Sequence, residues 1–332
     1  MSSGKQHLSF VVRRLPLHPR LDTYLATRIK TRSRTYFQKL IQQGRVQVND
    51  QPAKRHHEVK LDDRIDVVLD LEPRPSRVQP EEKPLDILYE DDTLIVIHKA
   101  AGQVVHPAKG HWHGTLISAV LHHCRSDEAV GGPSFAKVVH RIDRDTSGVL
   151  LFAKNPATHP AIALQFERRQ ARKTYLAIVE GTMRSSEGTI DLPLGPHMFQ
   201  RFKVTVRADA GRPSVTEYEA LERFDGFTFL KLSPRTGRGH QIRVHLAAMG
   251  HPVLCDRVYG KREALYRADL ENDPLATGGE ALLARQALHA HTLAIRHPVS
   301  GQWMEFTAPL PKDMERTLDA LRDLRPWKGD HR

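Results

Sequence analysis

The residues best suited to chemistry lie in one decapeptide, Val139-His140-Arg141-Ile142-Asp143-Arg144-Asp145-Thr146-Ser147-Gly148. It gathers two arginines, two carboxylates, a histidine and a turn-forming Ser-Gly pair. Carboxylates in such a loop can act as nucleophile or base, and arginines can pair with them or with phosphate. Phe135-Ala136-Lys137-Val138-Val139 on one side is strand-like. Val149-Leu150-Leu151-Phe152-Ala153 on the other is a short apolar run that reads as a buried strand. A charged loop between two buried strands is a place where a scaffold presents reactive groups. Residue types alone also allow a plain structural loop. Asp145, Thr146 and Ser147 are turn and cap residues, Gly148 tolerates positive φ, and Arg141 with Asp143 would be a surface ion pair of little weight.

Two later segments decide between these readings. His140 to Gly148 resembles the HRLDxxTSG signature of the RluA-type pseudouridine synthases, with Ile142 in place of Leu. Lys173-Thr174-Tyr175-Leu176-Ala177 resembles that family's K-x-Y strand. Arg235-Thr236-Gly237-Arg238-Gly239-His240-Gln241-Ile242-Arg243-Val244-His245 resembles its TGRxHQIRxH segment. The three occur in the family's order, so the resemblance spans roughly residues 15 to 313.

The resemblance implies an isomerase that breaks the N-glycosidic bond of a uridine in RNA, turns the uracil and rejoins it through C5. That reaction needs an ionised carboxylate at the sugar–base junction and no metal, nucleotide or redox cofactor. Asp143 aligns with the family's catalytic Asp, and Asp145 falls at a variable position. Arg243 matches the arginine that pairs with that Asp. Tyr175 matches the aromatic that packs on the target uracil and assists at C5; on residue type alone it is a strand core residue. A stacked uridine must be flipped out to be reached, and Arg141 resembles the arginine that fills the vacated space. His140, Gly237, Arg238, His240 and Gln241 are expected near the base or the RNA backbone.

Composition agrees with an RNA partner. The 332 residues carry a net charge of +11, and a strongly basic chain suits a polyanion. Residues 1–70 hold 14 Lys/Arg against 7 Asp/Glu, net +7, while the other 262 hold 36 against 32, net +4. The N-terminal piece is therefore the expected electrostatic docking element. Two cysteines, Cys124 and Cys255, suit a reducing compartment. The polar start lacks the apolar core of a secretion signal, and no run approaches the ~20 apolar residues of a membrane span. A cytoplasmic monomer without membrane contact is expected.

Leu21, Tyr24, Leu25 and Ile29 fall on one helical face, and Phe37, Leu40 and Ile41 on a second. Lys30 to Arg32 form a polar break between them, Ser33 is an N-cap and Gly44 a stop. Short strands follow at Val46–Val48 and Ile65–Val68, with Asn49-Asp50 as a turn. Arg32, Arg34, Lys39, Arg45, Lys54 and Arg55 crowd this unit. It resembles an S4 RNA-binding domain over residues 15–71, with Arg34, Lys39 and Arg45 as RNA contacts; without the resemblance it reads as a solvated basic face.

Residues 72–84, with four prolines, read as a linker. Residues 85–313 follow as the catalytic domain and 314–332 as a C-terminal tail. Strands outnumber helices and often succeed each other directly, which predicts an α+β domain with a mixed or antiparallel sheet. His106, His111, His113, His122, His123 and Cys124 match no zinc-ligand spacing, so no metal is expected. Within the family, the S4 domain and the Val105-His106-Pro107 loop favour a large-subunit ribosomal RNA substrate over transfer RNA. A non-catalytic ribosome-assembly factor is the alternative of a different class, and the intact Asp143, Tyr175 and Arg243 argue against it.

Overall fold

Unit one, Met1–Ser76, is built by amphipathic patterning. The computed structural model describes residues 4–16, 19–29, 33–54, 56–71, 78–107, 112–126, 135–200, 202–271 and 279–329. Strands β1 (Gly4–Val11), β2 (Val46–Val48), β3 (Gln51–Pro52) and β4 (Arg64–Leu71) form an antiparallel sheet in the order β1-β4-β2-β3. Helices α1 (Leu21–Arg28) and α2 (Arg34–Gln42) bury Leu21, Leu25, Phe37 and Leu40 against Val46, Val48, Ile65 and Val67. Each apolar side chain so buried contributes roughly 1.5–3 kcal/mol before chain entropy is charged against it. The Ser33 hydroxyl accepts the Tyr36 N–H at 3.2 Å, and Gly44 follows α2 with φ +68°. Asn49 and Asp50, both at positive φ, make the tight turn between β2 and β3. Strand β1 lies ahead of the residues expected to form this domain. Gly4-Lys5-Gln6-His7 lacks a clear apolar alternation, and its order comes from pairing with β4. The break at Lys30 to Arg32, and Arg55, lie outside the described residues.

The second unit, Arg77–Arg332, is organised by one large sheet. Its strands are β5 (Ile87–Glu90), β6 (Leu94–Lys99), β7 (Lys137–Val138), β8 (Ser147–Ala153), β9 (Arg172–Glu180), β10 (Glu187–Asp191), β13 (Val215–Phe224), β14 (Phe227–Pro234), β15 (Leu288–Arg296) and β16 (Trp303–Thr307). The spatial order is β10-β13-β14-β9-β15-β8-β6-β5, with β16 on β15 and β7 on β8. A separate hairpin pairs β11 (Leu194–Pro196) with β12 (Val204–Val206). Helices α3 (Leu116–His123), α4 (His159–Glu167), α5 (Gln241–Ala248), α6 (Arg267–Glu271) and α7 (Lys312–Leu324) complete it. This is the expected α+β class with a mixed sheet.

The continuous apolar runs of β6 and β8 are explained by burial on both faces. Leu94, Val96, Val149 and Leu151 pack with Ile162 of α4, while Ile95, Ile97, Leu150 and Phe152 pack with Leu116, Ile117 and Val120 of α3. Every pairing in the sheet is antiparallel except β8 with β15, where Ser147 meets His289 and Gly148 meets Ala290. Gly148 sits there at φ +116°, and a Cβ on it would lie 2.1 Å from the Ala290 carbonyl oxygen. The glycine ending the decapeptide is thus required by the close approach of two strands.

Two boundary expectations are corrected. Residues 314–332 are no appended tail: Met314, Leu318 and Leu321 of α7 are buried in the core with Phe224, Leu230 and Leu265. Their i, i+4, i+7 spacing is that of a helix with one apolar face. Residues 72–77 of the expected linker lie outside the described residues, but residues 78–84 dock on the second unit. The Glu81 N–H donates to the Ser118 carbonyl at 3.0 Å, and its carboxylate accepts the Gly114 N–H at 2.8 Å.

Candidate active site

The decapeptide is held from two sides through its main chain. The Arg144 carbonyl accepts from Lys99 Nζ at 2.7 Å and from the Gly102 N–H at 2.9 Å. On the other side the Asp145 carbonyl takes a longer contact from Arg285 Nη1 at 3.4 Å, and Thr146 Oγ1 accepts from Gln286 Nε2 at 2.6 Å. Lys99 is fully buried and also donates to the carbonyls of Ala100 and Gln103. Burial pushes its ammonium down to about 7, against a partly compensating pull from Asp145. His140 holds the same loop from inside. Its ring stacks on Phe166 at 4.8 Å, and Nε2 accepts the Leu151 N–H at 3.1 Å. Burial, helped by the Lys173 charge, pushes this imidazole down to about 3. It is neutral, with its proton on Nδ1.

These anchors place Asp143 in a cleft of ≈ 760 Å³, walled by the decapeptide, by residues 234–243 and by Lys173 and Tyr175 of β9. Asp143 Oδ2 accepts from Arg243 Nη1 at 2.7 Å, while its side chain stays 27% exposed. Arg243 rises from the first turn of α5. Its other donors, Nε at 2.6 Å and Nη2 at 2.7 Å, grip Asp256 in a two-pronged pair. Asp256 is fully buried and also accepts the N–H groups of Val258 and Tyr259. The Tyr259 ring lies 5.1 Å from the guanidinium, within cation–π range. Burial alone would lower the Arg243 pKa, but Asp256 and then Asp143 outweigh it and hold the cation above its ordinary range. The result is a fixed cation, saturated at the back, presenting one bound carboxylate to the cleft.

His240 stands beside this pair in a left-handed conformation, φ +54°. The Tyr259 hydroxyl accepts the Val204 N–H at 2.9 Å and lies 2.8 Å from His240 Nδ1. Burial lowers the His240 pKa, with Asp143 pulling the other way, so the ring is neutral. The Tyr259 hydrogen goes to Nδ1, and Nε2 keeps its proton facing Asp143 Oδ1 at 4.0 Å; the other tautomer would set a lone pair against the carboxylate. Tyr175 occupies β9 between Leu232 and Ala290. Burial and then the Asp143 charge push its phenol up, so it stays protonated. Lys173 lies on the same wall, its ammonium lowered by burial. A Cβ on Gly237 would stand 3.4 Å from its Nζ.

Asp143, Tyr175, Arg243, His140, Arg141, Gly237, Arg238, His240 and Gln241 thus line one cleft. Arg141 is exposed on its rim with no hydrogen bond or ion pair among the described residues. Arg238 has its Nε buried without a hydrogen-bond partner there. Two expectations are corrected. Gln241 is used up internally: Oε1 accepts from Thr236 and Arg238, and Nε2 donates to Val215 and Thr216. His140 is likewise committed to Phe166 and Leu151 and supports the loop. Asp145 is gripped by its neighbour Arg144 at 2.8 Å. In the first unit, Arg34 pairs with Asp22 at 3.0 Å and remains 51% exposed; Lys39 is exposed and Arg45 half-buried.

Asp256, Tyr259 and the loop anchors Arg285 and Gln286 belong to the site but match none of the sequence motifs above. The only local signal was the charged and aromatic turn Cys255-Asp256-Arg257-Val258-Tyr259-Gly260. Of the histidine-rich stretch, His113 lies near Glu81 and His123 bonds Glu90. His111 lies outside the described residues. Among the described residues no three His, Cys, Asp or Glu side chains converge as metal ligands, and no helix is long and apolar enough to cross a membrane.

The sequence and the fold have known counterparts. Residues 93–248 match the family of RNA pseudouridylate synthases, and residues 19–65 match the S4 domain. An RNA pseudouridine synthase of Chlorobaculum parvum is 40% identical over 308 residues, covering 91% of this chain and 94% of its own. The ribosomal large subunit pseudouridine synthase D of Nitrosomonas europaea is 40% identical over 305 residues, covering 92% and 85%. The solved structure of human RNA pseudouridylate synthase domain containing 4 shares the fold, with a TM-score of 0.57 at 24% identity over 71% of this chain and 92% of that one. The chain belongs to the RNA pseudouridylate synthase family. It is an RNA pseudouridine synthase, an isomerase acting on uridine in RNA.

Proposed function

We propose that this enzyme modifies specific uridines of large-subunit ribosomal RNA and that Asp143 is its catalytic residue. The observation carrying the assignment is the Asp143–Arg243 pair, a partly exposed carboxylate held at 2.7 Å by a buried cation. Asp143 supplies negative charge at the sugar–base junction while the N1–C1′ bond breaks. The uracil turns, a C5–C1′ bond forms, and the C5 proton is lost as N1 gains one. Arg243 fixes the carboxylate. Tyr175 packs on the uracil. His240 offers Nε2–H beside Asp143. Arg141 enters the space left by the flipped nucleotide, and Arg238 and Gly237 meet the RNA alongside.

The first unit acts as an S4 docking element. Arg34, Lys39 and Arg45 contact phosphate there, and its charge raises the local concentration of RNA at the catalytic unit. The protein works as a cytoplasmic monomer without metal or cofactor. What supports the ribosomal substrate is the 40% identity over 92% of the chain to a ribosomal large subunit enzyme.

Tritium release from unmodified transcripts carrying 5-tritiated uridine tests this. Release is expected from large-subunit ribosomal RNA and at most weakly from transfer RNA. Release from transfer RNA alone would overturn the substrate, and release from neither would overturn the activity.

A further inference from the structure

The hairpin β11–β12 leaves a cluster of large apolar side chains in solvent. Phe199 is 85%, Met198 73% and Phe202 67% exposed, although a folded chain ordinarily keeps such groups together only where something covers them. The described residues flanking them are held by hydrogen bonds. His197 Nδ1 accepts the N–H groups of Phe199 and Gln200, each at 3.2 Å. The Lys203 N–H donates to the Gln200 carbonyl at 2.8 Å, and the His197 N–H to the Lys203 carbonyl at 3.0 Å.

The base of the hairpin abuts the cleft. Val204 donates to the Tyr259 hydroxyl at 2.9 Å, and Tyr259 bonds His240, which faces Asp143. Two side chains therefore separate the hairpin from the carboxylate. Residues 194–212 carry four Lys/Arg against one acid, net +3, so their field favours a polyanion over an acidic or neutral protein surface.

We infer that Phe199 and Phe202 form a stacking platform for unpaired RNA bases flanking the target uridine. An aromatic face accepts any base, and neighbouring cations follow the backbone. The platform would hold the strand open next to the cleft while the flipped nucleotide reacts. This inference rests on the reading that the substrate is RNA, and it adds where the flanking strand is gripped.

The test is F199A/F202A in the full-length protein. Both side chains are solvent-exposed, so folding is expected to survive. Retention of an unmodified large-subunit ribosomal RNA transcript on filters is measured across a salt series, alongside tritium release. Without the two stacking faces affinity should fall about tenfold or more, and KM should rise with it. Turnover at saturation should stay within about twofold. The slope of log K against log salt should not change, because no phosphate contact is removed. Phe199→Trp should retain affinity and show quenched indole emission when RNA is added. Affinity within twofold of wild type would overturn the inference, as would loss of self-association in sedimentation without loss of RNA affinity. With wild-type turnover intact, either result refutes the platform alone. A wild type that binds no RNA refutes both.

Discussion

Two charge clusters in this protein have opposite polarity. In the catalytic unit a buried cation, Arg243, gathers two carboxylates, one fully buried and one 27% exposed. In the N-terminal unit a buried carboxylate, Asp22, gathers Arg20 at 3.1 Å, Arg34 at 3.0 Å and Gln38 at 2.7 Å, and its two arginines stay 37% and 51% exposed. Burial alone would raise the Asp22 pKa, but hydrogen bonds from Arg20, Gln38 and Arg34 hold it well below the ordinary carboxylate range. The first cluster presents an anion to the cleft, as chemistry at a sugar requires. The second presents cations to solvent, which suits the phosphate contacts proposed for this unit. In each, the buried ion fixes the orientation of the exposed one.

This difference should be measurable. Asp256→Asn removes the bidentate partner of a cation only 6% exposed. Removing one partner of a buried ion pair costs roughly 3–5 kcal/mol. Asp143 still pairs with Arg243, so urea unfolding of the catalytic unit should show a loss at the lower end of that range, and turnover should fall with it. A cost near 1 kcal/mol would mean that water reaches Arg243 and that the cluster is not buried in function.

Acid should separate the two units next. Burial depresses His140 to about 3 and His289 to about 4, below the roughly 6.5 of an unfolded histidine. The unfolded chain therefore takes up protons first. The stability these groups contribute is complete above pH ~6.5 and is lost as pH falls toward their folded values. Asp22 has a depressed carboxylate pKa, so its contribution persists down to roughly pH 4 and is lost only below that. Between pH 6.5 and 4.5 amide protection should decline in the catalytic unit and hold in the N-terminal unit. His140→Gln, whose amide can still accept the Leu151 N–H, should flatten part of that decline. Parallel loss in both units would contradict the assignment.

The smallest effect is expected at Asp22→Asn. It leaves two arginines that water already reaches, so the loss should be about 1 kcal/mol, read from amide exchange at Val46, Ile65 and Val67. A loss as large as that at Asp256 would abolish the distinction between the clusters.

Local patterning made much of the fold legible. The apolar run of β8, the Ser33 cap and the Gly44 stop follow from periodicity and backbone preference. The link between Asp143 and Arg243, a hundred residues apart, came from the family resemblance, since no local rule joins them. The partners that fix Arg243 stayed hidden because Asp256 and Tyr259 sit in an ordinary-looking turn and matter only through space. The inward turn of Gln241 and His140 is not legible in the sequence, because type and position do not tell which way a polar side chain points. Strand β1 falls outside the residues that patterning assigns to its domain because pairing alone orders it, and helix α7 falls in the expected C-terminal tail because patterning does not show that its apolar face joins the core.

The most direct test of the central claim compares wild type with Asp143→Asn for tritium release from 5-tritiated ribosomal RNA, with RNA affinity measured on the same samples. The carboxylate is proposed to carry the reaction while most RNA contacts lie elsewhere. Release should therefore fall by roughly 10³-fold or more, in the range of lost covalent or acid–base catalysis, with affinity within a few-fold of wild type. Turnover by Asp143→Asn at a wild-type rate would contradict the account.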